Sequence, residues 1–87
     1  MGEVAITYRF MPRNLEVNLE SIKERAIRIL GEHRFHSSEV KAIAFGLKAL
    51  EITAIVEETE GVGERLENEL ESIEGVQSIE TVALTRL

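Results

Sequence analysis

The sequence contains no cysteine and no tryptophan, a single proline and only two histidines. Without cysteine, neither disulfide bonds nor thiolate metal sites can form. The side chains that enzymes most often use as nucleophiles or general bases are therefore scarce. There is also no apolar run near the roughly 20 residues that a membrane-spanning helix requires. These absences disfavour a catalytic or membrane protein, and we expect no membrane partner.

Basic residues are also few. The chain of 87 residues carries 10 Lys and Arg against 16 Asp and Glu, a formal net charge of −6. Nucleic-acid binding needs clustered basic side chains that neutralise phosphates, so we expect no direct nucleic-acid partner. The negative charge is compatible with a basic protein partner, and equally with simple solubility.

The remaining composition is that of a folded domain. Hydrophobic residues make up 44 % of the chain and charged residues 30 %, as in ordinary globular proteins. This length predicts one domain over residues 1–87 with little room for a deep cavity. The first ten residues alternate in polarity and lack the basic stretch and apolar block of a signal peptide, so we expect a cytoplasmic location.

Hydrophobic periodicity predicts a strand and a helix in the first third of the chain. Apolar residues at every second position over residues 4–10 predict a half-buried strand. We expect Met11-Pro12 to end this strand, because proline cannot donate to a ladder. A helix is predicted from the N-cap Asn18 to Leu30, with Gly31 ending it.

The rest of the chain predicts a hairpin, a helix and a last strand. The extended pattern over residues 34–57 is too long for one strand, and its only central turn former is Gly46, so the turn falls at Phe45–Gly46. The next apolar residues are four, four and three apart, as on one helical face: Val62, Leu66, Leu70 and Ile73. Gly75 is the expected residue after this helix, and residues 79–87 are again extended.

The order strand, helix, strand, strand, helix, strand defines the expected fold class. Two βαβ halves with right-handed crossovers form an α+β, ferredoxin-like βαββαβ sandwich. Its four-stranded antiparallel sheet is covered by two helices on one face. RNA-recognition domains share this order, but they stack bases on aromatics of the central strands. The outward positions of the first strand carry no aromatic: Glu3, Ala5, Thr7 and Arg9.

The turn Gly61-Val62-Gly63 is a candidate phosphate site, because it follows a strand and opens a helix. Leu66 stands where a third glycine is needed, and the preceding carboxylates of Glu57, Glu58 and Glu60 repel phosphate. We therefore interpret this segment as an ordinary helix-starting turn and expect no cofactor.

The histidines and the acidic cluster are candidate metal ligands. His33 and His36 are three apart in a loop-to-strand segment, where that spacing does not place both on one face. Glu64 and the carboxylates before it are favoured at a helix start by the helix dipole, and their spacing does not match an EF-hand loop. We expect surface histidines, no metal ligands and no catalytic residues.

The segment Ala44-Phe45-Gly46-Leu47-Lys48-Ala49-Leu50 resembles the signature of the elongation factor 1-beta family. The Met11-Pro12 break, the Gly61 turn and the C-terminal residues also fit, so that the resemblance covers essentially the whole chain. It implies a protein that binds the GTPase elongation factor 1-alpha and promotes exchange of bound GDP for GTP. It also implies that the protein is not an enzyme and carries no cofactor.

The resemblance also implies which residues contact the partner: Phe45, Gly46, Lys48, Arg86 and Leu87. Phe45 matches a phenylalanine that makes a partner contact in eukaryotic members. Arg86 stands where those members have a penultimate lysine that reaches the magnesium site of the partner. Arginine is longer, planar and permanently charged, so the two residues are not equivalent.

Two further expectations concern geometry and assembly. The predicted topology puts Phe45 at one end of the sheet and Arg86 at the other, so both cannot share one pocket. An exchange factor of this kind is expected to be a monomer. The alternative function is a small ferredoxin-like regulatory or ligand-sensing module that dimerises through its sheet.

Overall fold

A computed structural model of the protein describes residues 2–87 and contains six elements. They are β1 (Glu3–Pro12), α1 (Leu19–Leu30), β2 (Phe35–Ala44), β3 (Leu47–Glu57), α2 (Val62–Glu71) and β4 (Val76–Arg86). The strands form one sheet in the order β2-β3-β1-β4, and each neighbouring pair is antiparallel. The predicted α+β, ferredoxin-like fold is confirmed.

The core lies between the sheet and the two helices. Because side chains alternate between the faces of a strand, the core residues of β1 share one parity: Val4, Ile6, Tyr8 and Phe10. They form one hydrophobic cluster with β3 and with buried residues of both helices, which include Ile22 and Leu66. Both helical residues are buried, at 1 % and 4 % exposure.

The predicted bounds of the first helix are confirmed. Asn18 has extended backbone angles, and its side-chain oxygen accepts a hydrogen bond from the Glu20 N–H at 2.9 Å, which satisfies one of the free donors at the helix start. Gly31 ends the helix with a φ of 89°, a conformation that glycine adopts without steric penalty.

The first strand ends at Pro12, as predicted, whereas two other predicted boundaries are wrong. Pro12 is still part of β1. It lies opposite Val76 of β4 beside a register shift, while the pairing of β1 with β3 stops at Phe10, and strands tolerate proline at such irregularities. β4 begins at Val76 instead of residue 79. The second helix ends at Glu71, so that Ile73 is buried beyond the helix and Gly75 lies within the turn to β4.

A β-bulge in β4 changes the expected facing of its side chains. Thr81 pairs with Tyr8 and Ala83 with Thr7, which leaves Val82 as the extra residue. Val82 lines a groove on the open face of the sheet with Thr7 and other residues. Leu84 and Arg86 lie opposite Ile6 and Val4, so they do not share a face with Val82, although the three residues alternate in the sequence.

Neither of the two helices in residues 2–87 is long and apolar enough to cross a membrane.

Candidate functional site

The turn between β2 and β3 presents an exposed aromatic ring. Ala44 pairs with Leu47, so Phe45 and Gly46 form a two-residue turn. Their φ angles are 52° and 79°, both positive, as the type I′ turn favoured in hairpins requires. The Phe45 residue is fully accessible, at 101 % exposure. The prediction that the hairpin turn falls at Phe45–Gly46 is confirmed.

A shallow groove lies beside this turn. Gly46, Leu47 and Lys48 line it together with residues of the β1–α1 loop, which include Leu15. Leu15 is 67 % exposed. The sequence pattern gave no indication of this position, because a single leucine in a polar loop has no periodicity.

The C-terminal residues form the opposite end of the sheet. Arg86 pairs with Val4, and the Leu87 N–H donates a hydrogen bond to the Glu3 carbonyl at 2.9 Å. The backbone is therefore held in the sheet as far as the last residue. The Arg86 side chain is 78 % exposed, and its Nε donates to Oε2 of Glu58 at 2.8 Å.

The predicted separation of Phe45 and Arg86 is confirmed. The hairpin turn lies at the end of the sheet where β1 finishes, whereas Arg86 pairs beside the start of β1. The longest dimension of the molecule is 42 Å, and a strand of ten residues spans roughly 33 Å. Phe45 and Arg86 consequently cannot belong to one small pocket.

The open face of the sheet is polar at its centre. Arg9 contacts Oε2 of Glu51 at 2.9 Å and Oε1 of Glu80 at 3.3 Å. The hydroxyls of Thr7 and Thr53 are hydrogen-bonded at 2.8 Å. The two aromatic residues of β1, Tyr8 and Phe10, point into the core, so the open face of this strand has no ring on which a base could stack.

The two glycines of the predicted helix-starting turn, Gly61 and Gly63, have structural roles. Gly61 is the N-cap of α2 with a φ of 74°. The Gly63 carbonyl accepts a hydrogen bond from the buried Tyr8 hydroxyl at 3.0 Å. Burial, and to a smaller extent the negative charge of Glu67, raises the pKa of Tyr8 to about 12. The phenol is therefore neutral and serves as a hydrogen-bond donor to the helix.

The candidate metal ligands are dispersed. His33 and His36 are both exposed, as predicted for surface histidines, and Glu58 is paired with Arg86. Within residues 2–87, no group of three or more histidine, cysteine or acidic side chains is arranged to hold a metal ion.

The structure is that of a small ferredoxin-like domain, and its turns explain the glycines with positive φ angles. Its prominent exposed side chains, Phe45 and Arg86, lie at the two ends of the sheet. Residues 5–87 match the EF-1 guanine nucleotide exchange domain, and the chain belongs to that family. The family is one of nucleotide exchange domains and not of enzymes, as the resemblance implied.

Archaeal proteins named elongation factor 1-beta resemble the chain over almost its full length. The protein of Methanothermobacter thermautotrophicus is 40 % identical over 88 residues, which cover 100 % of this chain and 99 % of the relative. The protein of Methanococcoides burtonii is 37 % identical over 87 residues, with coverage of 99 % and 98 %. That of Archaeoglobus fulgidus is 38 % identical over 81 residues, with coverage of 92 % for both chains.

Proposed function

We propose that this protein is a guanine nucleotide exchange factor that binds the GTPase elongation factor 1-alpha and promotes replacement of its bound GDP by GTP. The match of residues 5–87 to the exchange domain family carries the proposal. The proposal also states that residues 1–87 act as one exchange domain. Translation factors work where ribosomes do, so a cytoplasmic location follows from the same proposal.

Exchange of this kind needs differential affinity and no catalytic group. A nucleotide leaves its GTPase faster when another ligand binds the nucleotide-free state more tightly than the loaded state. Because the coupling is reciprocal, the nucleotide must weaken binding of the exchange factor by the same factor. This task requires neither a nucleophile nor a bound cofactor, so a small domain is sufficient for it.

One proposed contact is formed by Phe45, with Gly46 and Lys48 beside it. The fully exposed ring stands on a tight turn whose backbone is fixed by the hairpin. A rigid, exposed aromatic residue loses little conformational entropy on binding and can fill a pocket of a partner. This contact anchors the exchange factor at a region of the GTPase remote from its nucleotide.

The other proposed contact is formed by Arg86 and Leu87. The Arg86 guanidinium is permanently charged, and its side chain is largely exposed at the end of the sheet. At the magnesium site of the GTPase, this positive charge competes with the metal ion or displaces the groups that hold the metal and the phosphates. GDP then loses part of its electrostatic stabilisation and dissociates.

The monomeric state is part of the proposal. The centre of the open sheet face carries the ion pairs of Arg9 with Glu51 and Glu80, and dimer interfaces are depleted of charged residues at their centres. This polarity disfavours the alternative, a regulatory or ligand-sensing module that dimerises through its sheet. Size-exclusion chromatography at several concentrations distinguishes the two, because only the alternative requires a dimer.

The function is tested with purified elongation factor 1-alpha loaded with fluorescent GDP and chased with excess GTP. Substoichiometric amounts of this protein should accelerate GDP release, because an exchange factor is recycled. Release at the intrinsic rate at every concentration of added protein would contradict the proposal.

A further inference from the structure

We infer that Glu58 is a positioning residue for exchange: it holds the Arg86 guanidinium in the orientation that reaches the magnesium site of the GTPase. This inference rests on the proposed function. The observation is the hydrogen-bonded ion pair between Arg86 Nε and Glu58 Oε2 at 2.8 Å. The two residues lie 28 positions apart in the sequence and meet only because the fold pairs β1 with both β3 and β4.

Both partners of the ion pair are fixed through the first residues of β1. The Glu58 N–H donates to the Gly2 carbonyl at 2.9 Å, and the Leu87 N–H donates to the Glu3 carbonyl at 2.9 Å. The segment at the start of β1 therefore lies between the end of β3 and the end of β4. Their side chains meet across it, so the position of Glu58 relative to the C-terminus is determined by the sheet ladder.

Glu58 contacts Nε of Arg86, and this choice of atom determines which N–H groups of the guanidinium remain for the partner. A guanidinium has five N–H donors in one plane, and Nε carries only one of them. A carboxylate that accepts a hydrogen bond from Nε orients this plane, and it does not contact the two terminal nitrogens. Arg86 keeps 78 % of its side chain exposed in this arrangement. The ion pair thus orients the guanidinium without covering the charge that the proposed mechanism uses.

Holding the guanidinium in one orientation favours binding because it reduces the conformational entropy that is lost when the partner binds. A free arginine side chain samples many rotamers, and restricting them on binding lowers affinity. A side chain already held in the free protein loses less freedom when the partner binds. Because exposed ion pairs are weak, their loss corresponds to a roughly two- to fivefold change in an equilibrium or rate constant. Glu58 should therefore support exchange without being indispensable for it.

The test is a double-mutant cycle read out by stimulated GDP release. Glu58→Ala alone should lower the maximal stimulated rate roughly two- to fivefold. In an Arg86→Ala background, Glu58→Ala should cause no further loss, because the group that it positions is absent. Glu60→Ala is the matched control: it removes the same charge from the same exposed loop, and within residues 2–87 Glu60 makes no ion pair. The control should keep the unmodified rate.

Equal losses from Glu58→Ala in both backgrounds would overturn the inference, as would a faster rate or no change in the single variant. A second measurement does not depend on the partner. In the free protein, NMR should show the Nε–H proton of Arg86 exchanging with water faster in Glu58→Ala than in the Glu60→Ala control. An unaltered Nε–H proton would also overturn the inference. Failure of the proposed function would instead appear as no stimulation by the unmodified protein.

Discussion

At the residue scale, Phe45 has two properties that do not stabilise the free protein, an exposed ring and a positive φ angle. Its ring is fully exposed, and its φ of 52° lies in the left-handed region. This conformation costs roughly 1–2 kcal/mol for a residue with a bulky side chain, whereas asparagine tolerates it better. A strained and exposed aromatic residue at a turn motivates a binding role.

Phe45→Asn therefore separates stability from function. Asn-Gly is a favoured pair for a type I′ hairpin turn, so we expect the free energy of unfolding to rise by roughly 1 kcal/mol. Stimulated GDP release should fall, because the ring is gone. Val40→Ala is a suitable control, since it removes another exposed apolar side chain from the same hairpin and should leave exchange unchanged. A variant that is destabilised but fully active would show that Phe45 acts in folding.

Tyr8 gives a prediction about alkaline pH. Its pKa is raised from 10.0 to about 12 by burial and, less, by Glu67, so the folded state keeps its proton where the unfolded state has lost it. The contribution of this group to stability is complete below pH 10, and it falls as the pH rises from 10 to 12. The free energy of unfolding should decline more steeply in that window for the unmodified protein than for Tyr8→Phe.

The chain contains one tyrosine, so the phenolate absorbance band reports on Tyr8 alone. A titration midpoint near pH 10 in the folded protein would contradict the buried hydrogen bond to Gly63. At neutral pH, Tyr8→Phe should lower the free energy of unfolding by about 1 kcal/mol, the typical net value of one hydrogen bond.

At the scale of elements, α2 is attached to the sheet mainly through its apolar stripe. Leu66 is 4 % exposed and belongs to the central cluster. Leu66→Ala should lower the free energy of unfolding by about 2–5 kcal/mol in chemical denaturation, because it removes buried surface and leaves a cavity. Leu15→Ala, at an exposed leucine, should change it by less than about 0.5 kcal/mol. A similarly small effect at Leu66 would mean that another face of α2 is buried.

The elements were predictable where the sequence has strong periodicity or an unambiguous cap. α1 follows from Asn18 and Gly31, and the hairpin follows from one central glycine in a long extended segment. The start of β4 was missed because Val76 is followed by two polar residues, so no alternation is visible there. The bulge at Val82 was missed because it depends on pairing with β1, and pairing is a property of the folded sheet.

The same distinction applies to the candidate site. Phe45 was predictable because a turn residue has local sequence signals, and the pairing of β2 with β3 places it at the tip. The ion pair between Glu58 and Arg86 was not predictable, because it depends on two strands that end on opposite sides of β1. Long-range contacts of this kind are specified by topology and register and not by local pattern.

At the scale of the whole molecule, the C-terminus gives the most direct test of the exchange mechanism. Removal of Arg86 and Leu87 deletes one exposed ion pair and one backbone hydrogen bond, which together contribute about 1–2 kcal/mol. The domain should remain folded by circular dichroism, whereas stimulated GDP release should fall strongly. Arg86→Lys should keep much of the activity, because it retains a positive charge. Unchanged release after truncation would show that the C-terminus is not part of the mechanism, although the family assignment would stand.

The placement of the two proposed contacts at opposite ends of one sheet makes the protein a bivalent ligand. Once one end is bound, the other is held near its target at a high effective concentration, so two individually weak contacts give strong combined binding. Hydrogen-bonded strands form a stiff connection, and their length fixes the distance that the partner must match. One residue added to both β2 and β3 beside the turn would move Phe45 by roughly 3.4 Å and turn it to the other face. Avidity would then be lost although both contact residues were still present.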